Sequence, residues 1–191
     1  MRFTLTYQGE LPPNADANEK WRIRRTLEPQ LRRLWDQLPV SDLSKYKDPN
    51  YQPGDCYVGR SRFGFEFIPL ITTALDLRAE LDVLLLAANL PGDLIRQGGD
   101  IDNRLKTLFD ALSMPANVQQ VPNNPDVESD KRVFCLLEDD KLVTSVAASN
   151  DVFCRYQMDP TTFSLCCACT RLPFVPPSPT CRLPSNYREQ R

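Results

Sequence analysis

Histidine is absent from the 191-residue chain. Its absence removes the commonest general base, together with the serine and cysteine mechanisms that need a histidine partner, and so favours a metal-generated hydroxide for any hydrolysis. Long apolar runs are also lacking. The stretch Leu81 to Leu90 contains Asp82 and is too short to cross a bilayer, and Met1 to Tyr7 has no apolar signal-peptide core. These features predict a cytoplasmic protein with no membrane partner. Overall basicity is missing too, since the net charge is −2, so contact with nucleic acid has to come from a local patch. Seven cysteines are present, but without histidine a structural zinc site is disfavoured. Cys166, Cys167 and Cys169 sit in an apolar, strand-like run, Thr162 to Thr170, where they read as small packing residues, and a reducing compartment argues against disulfides. A zinc protein built on the late cysteines stays open as a competing reading that predicts stoichiometric zinc.

A hydrophobic content of 41% with 25% charged residues suits one globular domain with a real core. Alternation at Phe3, Leu5 and Tyr7 predicts a half-buried strand over residues 2 to 8. Asp16 with Glu19 makes a capping pair, and Leu27, Leu31, Leu34, Trp35 and Leu38 repeat at helical spacing. Pro29 predicts either two helices here or one that starts near Thr26. Ser41 to Gly59 reads as a loop. Strands are expected at Arg62 to Leu70, Glu80 to Ala88, Arg132 to Leu137, Lys141 to Ala148, Val152 to Gln157 and Thr162 to Thr170. From Leu172 onward five prolines predict an extended or flexible tail, 172 to 191, without a catalytic role. The domain is therefore expected over residues 1 to 171, as an α/β (α+β) fold with a mixed β-sheet packed by helices.

Chemistry concentrates in Gly98 to Leu112. On a helix, Asp102, Lys106 and Asp110 fall on one stripe, and Leu105, Leu108, Phe109 and Leu112 form an apolar stripe beside it. Clustered carboxylates repel unless a cation sits between them, and Mg²⁺ takes oxygen ligands of this kind. The same residues also suit an ordinary capped and solvated helix start, so both readings stand at this point. A second acidic cluster, Glu138-Asp139-Asp140, follows an apolar strand and precedes another. It is either the second half of a metal site or a charged turn.

Together the two segments resemble the RusA family of Holliday junction resolvases, whose signature is Asp-x-Asp-Asn-x-x-Lys, then Phe-Asp-Ala-Leu, then Asp-Asp before a strand. The matching positions are Asp100, Asp102, Asn103 and Lys106, then Phe109-Asp110-Ala111-Leu112, then Asp139-Asp140. The likeness covers residues 79 to 148 and extends faintly to Leu11-Pro12-Pro13-Asn14. It implies a RusA-like fold and a homodimer that introduces paired nicks in four-way DNA junctions. It also implies Mg²⁺, with Mn²⁺ as a substitute, held by Asp100, Asp102 and Asp140. Lys106 would be the catalytic lysine, with Asn103, Asp139 and Asp110 in support. The family joins its helix to the Asp-Asp pair by a short connection, whereas here residues 113 to 131 form an insertion that reads as a polar surface loop or a substrate-facing flap.

Between residues 20 and 33, Lys20, Arg22, Arg24, Arg25, Arg32 and Arg33 stand against one acid, Glu28. Such a patch is what contact with a phosphate backbone requires, although the same arginines would equally solvate an amphipathic helix. The function expected is thus Mg²⁺-dependent resolution of branched DNA. The alternative is a non-catalytic nucleic-acid or protein-binding domain that keeps the fold without assembling the metal site.

Overall fold

The computed structural model describes residues 1–37, 39–50, 57–87, 101–123, 125, 131–152 and 163–170; for 87, 150, 152 and 163–170 it describes the backbone. Asp100, Leu38, three of the seven cysteines (Cys56, Cys154 and Cys181) and the proline-rich tail lie outside these residues.

Strand β1 (Arg2–Gly9) alternates as its sequence does, with Leu5 and Tyr7 buried and Thr4, Thr6 and Gln8 exposed. Helix α1 (Ala17–Leu34) opens on a complete capping box: Asp16 accepts from the Glu19 N–H, and the Glu19 side chain accepts from the Asp16 N–H, each at 2.8 Å. Pro29 lies inside this helix and does not break it. A proline removes one backbone hydrogen bond, and here that loss is outweighed by the buried face Trp21, Ile23, Leu27 and Leu31. The segment expected as loop contains a 3-10 helix, Val40–Lys47.

Strands β2 (Arg60–Arg62) and β3 (Phe65–Ile71) form a hairpin. Its two turn residues, Phe63 and Gly64, both have positive φ, the geometry that follows the natural strand twist. Strand β4 (Ala79–Ala87) follows, then helix α2 (Ile101–Leu112), β5 (Arg132–Leu137), β6 (Val143–Val152) and β7 (Phe163–Thr170).

These strands divide into two mixed sheets rather than one. The larger runs β1-β7-β4-β6, with β7 antiparallel to both neighbours and β4 parallel to β6. The smaller runs β2-β3-β5, with β3 parallel to β5. β3 and β5 are buried nearly throughout, as parallel strands covered on both faces must be. The cysteine-bearing run forms β7 at the centre of the larger sheet, where Cys167 and Cys169 are in register with Val83 and Leu81 of β4.

One core joins the two sheets. Leu5, Leu81, Val83 and Leu85 from the larger sheet pack with Ile68, Leu70, Leu136 and Leu137 from the smaller, and α1 and α2 contribute Leu27, Leu31, Trp35, Leu108 and Leu112. A satellite cluster holds Trp21, Phe67, Met114, Val133 and Cys135. The insertion therefore begins in the interior: Ser113, Met114 and Pro115 are buried, and a 3-10 turn, Val118–Gln120, follows. Among the described residues no helix is long and apolar enough to cross a membrane.

Candidate metal and nucleic-acid site

Helix α2 is anchored by its apolar side, as its periodicity predicts. Leu108, Ala111 and Leu112 are buried, Leu105 and Phe109 pack against the core, and Asp102 and Lys106 are exposed one turn apart. Two buried polar residues add to the anchor. Arg104 donates to the Leu11 carbonyl, and the Ala15 N–H donates to Thr107 Oγ1 at 3.4 Å. The head of α2 is thereby held against the Leu11 to Ala15 segment. Asn103 is partly buried at the same end.

The other end of α2 meets β5. Ser113 bridges Leu137, and the Met114 N–H donates to the Leu137 carbonyl at 3.0 Å. Asp102 precedes Ser113 by eleven residues. That is about 16 Å of helical rise, so it is the tail of α2, rather than its acidic head, that abuts the strand leading into Asp139 and Asp140. Among the described residues no three acidic or cysteine side chains gather into a metal-binding group, and Asp102, Asp139 and Asp140 are not such a set. Asp100, the remaining expected ligand, lies outside the described residues.

Asp139 and Asp140 do come together. Asp139 caps a short 3-10 turn, Asp140–Leu142, by accepting from the Lys141 N–H at 3.0 Å. That backbone bond holds the Asp139 carboxyl below its usual range. Asp140 is pushed up, first by its hydrogen bond with Asp139, then by desolvation and by the charge of Asp139. Both carboxylates are exposed.

Glu138, the first acid of the run, belongs to a different network. It accepts from Thr72 Oγ1 at 2.5 Å, from the Thr73 N–H at 2.8 Å, from Thr73 Oγ1 at 2.9 Å and from Arg60 Nε at 3.0 Å. Its own N–H donates to the Ile71 carbonyl at 2.9 Å. Burial pushes its carboxyl up, but the Thr72 and Thr73 bonds and the Arg60 charge together outweigh burial and hold it below the usual range. Glu138 pins the ends of β3 and β5 together.

The basic residues of α1 do not form one open face. Arg24 is 2% exposed and donates from Nη2 to the carbonyls of Asp110 at 2.7 Å and Ser113 at 2.9 Å. From there it cannot reach a phosphate, and the expectation that it binds DNA is corrected: a cation at the C-terminal end of α2 satisfies carbonyls that the helix leaves unpaired. Desolvation lowers its pKa to about 10. Glu28, also buried, pairs with Arg25 and, at 3.0 Å, with Arg32, whose guanidinium lies 4.7 Å from the centre of the Phe134 ring. Lys20 pairs with Asp110 at 2.8 Å, which turns that motif residue toward α1. Arg22 and Arg33 remain exposed, with Arg22 3.8 Å from Glu10. Trp21, on the same helix, is buried against Phe65 and Phe67.

No protein-family model, curated protein or solved structure matches this chain. A functional reading therefore rests on its own residues.

Proposed function

We propose that the chain is a Mg²⁺-dependent endodeoxyribonuclease of RusA type, acting on branched DNA, and on four-way junctions in particular, as a cytoplasmic homodimer. The observation that carries the reading is the Asp139–Asp140 pair, whose crowded carboxylates are the kind of arrangement a divalent cation relieves. The donor set fits. Mg²⁺ takes one or two protein carboxylates and completes its shell with water and phosphate oxygens. Asp140, Asp102 and Asp100 would hold the ion, and the same oxygens accept Mn²⁺. When bound, the metal supplies an activated water and neutralises charge on the scissile phosphate.

The protein's own residues do the positioning. Asp139, fixed by the Lys141 N–H, orients Asp140. Lys106, exposed one turn beyond Asp102, adds positive potential where phosphate charge develops. Asn103 would support the same helix turn, and Arg22 and Arg33, the exposed arginines of α1, would meet a phosphate backbone.

The deciding experiment is cleavage of a synthetic four-way junction in Mg²⁺ by Asp102→Asn and Asp140→Asn variants, with circular dichroism confirming the fold. Both should lose cleavage. Full activity in either would remove that carboxylate from the site.

A second reading, a nucleic-acid or protein-binding domain without catalysis, is favoured by one observation: among the described residues the acidic side chains do not gather into a metal-binding group. Titration with Mg²⁺ or Mn²⁺ by calorimetry separates the two. DNA binding retained without cation binding below millimolar concentration belongs to the second.

A further inference from the structure

Three of the four outer strands of the two sheets carry a device against pairing with another chain. The outer edge of β1 is closed by Gln30, which accepts from the Thr6 N–H at 2.9 Å and donates to the Thr6 carbonyl at 2.6 Å. β2 has three residues, and arginines stand at both its ends. β5 is met by Ser113 and Met114 at Leu137. Short length, charge and cover are the usual ways of blunting a sheet edge.

Among the described residues β6 has none of these over its first eight residues. It is ten residues long, contains no lysine, arginine or proline, and is uncharged from Val143 to Asn150. Among the described residues its one neighbour is β4. Thr144 through Ser149 are exposed without a break, on both faces of the strand. The inner face is the more telling. Val146 is in register with Leu81 and Ala148 with Val83, and lateral neighbours in a sheet share a face. Leu81 and Val83 are buried, yet Val146 is 44% exposed and Ala148 is exposed as well. The apolar side of the larger sheet runs out into solvent along β6.

We infer that β6 pairs with β6 of a second copy of this chain, joining the two larger sheets across a two-fold axis. A two-fold pairing sets the same edge against itself in antiparallel sense. The uncharged stretch Val143 to Asn150 meets no like-charge repulsion in that arrangement, whereas a charged edge would. The paired strands would bring Val146 and Ala148 of the two copies side by side and close the edge left open in one. The inference rests on the homodimer of the reading above and names its surface, but it does not depend on cleavage.

Photo-crosslinking of the full chain tests it. A benzophenone amino acid replaces Val146, and isotopically light and heavy chains are mixed so that only crosslinks between copies are counted. The expected product joins light β6 to heavy β6, and the unmodified protein should sediment at about twice its 21.8 kDa mass. Val146→Lys and Ala148→Lys, both at exposed positions, should weaken association by at least about tenfold with unchanged circular dichroism. A crosslink from Val146 to a segment outside β6 of the second copy, a monomeric wild type, or a dimer indifferent to both lysines would overturn the inference. Asp140→Asn should dimerise like the wild type. A chain that pairs through β6 but cuts no junction would overturn the nuclease alone.

Discussion

At the scale of single residues, neighbouring side chains of like charge have separate tasks. Glu138, Asp139 and Asp140 are consecutive acids, but the first closes a threonine and arginine network while the other two face solvent and each other. Replacing Glu138 by Gln keeps an acceptor and loses the charge, so we expect a loss of about 1.5–3 kcal/mol, the range for hydrogen bonds to a charged group. The pH dependence has a definite sign. The folded state holds this carboxyl below its ordinary value, so its contribution is fully present above the unfolded glutamate pKa of about 4.3 and fades as pH falls through the lower folded value. Urea denaturation of wild type and Glu138→Gln should therefore differ most at neutral pH and converge in acid. A constant difference down to pH 2 would mean that the charge of Glu138 carries no stability. The sequence could identify the acids as a cluster, but not this division, because the partners of Glu138 come from residues 60, 72 and 73. Arg24 was illegible for the same reason. Its neighbours in sequence mark it as part of a basic helix, and only the docking of α2 supplies the carbonyls that draw it inside.

At the scale of elements, periodicity located β1, β3, β4, β5 and both helices, since each buries one face or both faces against the same core. The break expected at Pro29 did not occur, because local propensity was set against a capping box and four buried side chains and lost. The strain of that outcome should be measurable. Pro29 is exposed, so Pro29→Ala removes no core packing and restores the N–H that a helix interior uses. Proline costs about 3 kcal/mol relative to alanine in a helix interior, partly offset by the freedom that alanine returns to the unfolded chain. We expect a gain of roughly 1–3 kcal/mol in the urea-derived stability. A loss would show that the proline ring itself supports α1. The division of strands into two sheets was beyond the pattern, because hydrophobic alternation assigns faces to strands and says nothing of which strands are neighbours.

At the scale of the whole molecule, the question is whether two sheets and two apolar clusters behave as one cooperative unit. The main core takes residues from both sheets and both helices, and α1 reaches into each cluster, with Trp21 in the satellite and Trp35 at its C-terminal end in the main core. A helix that carries one side of both clusters cannot leave one without disturbing the other. The two tryptophans of the chain make this testable. In Trp35→Phe the remaining indole reports the satellite cluster, where it packs against Phe65 and Phe67; in Trp21→Phe it reports the main core. Each substitution shifts stability by its own amount, so the informative comparison lies within one variant, between the urea midpoint by fluorescence and the midpoint by far-ultraviolet circular dichroism. Coincidence in both variants is expected for a single two-state domain. If the Trp21 signal were lost at lower urea than the helical signal, the satellite cluster would be a separately melting unit. The Arg24 cap on α2, which lies beside Trp21 with its guanidinium 5.3 Å from the ring centre, would then be the first contact to open.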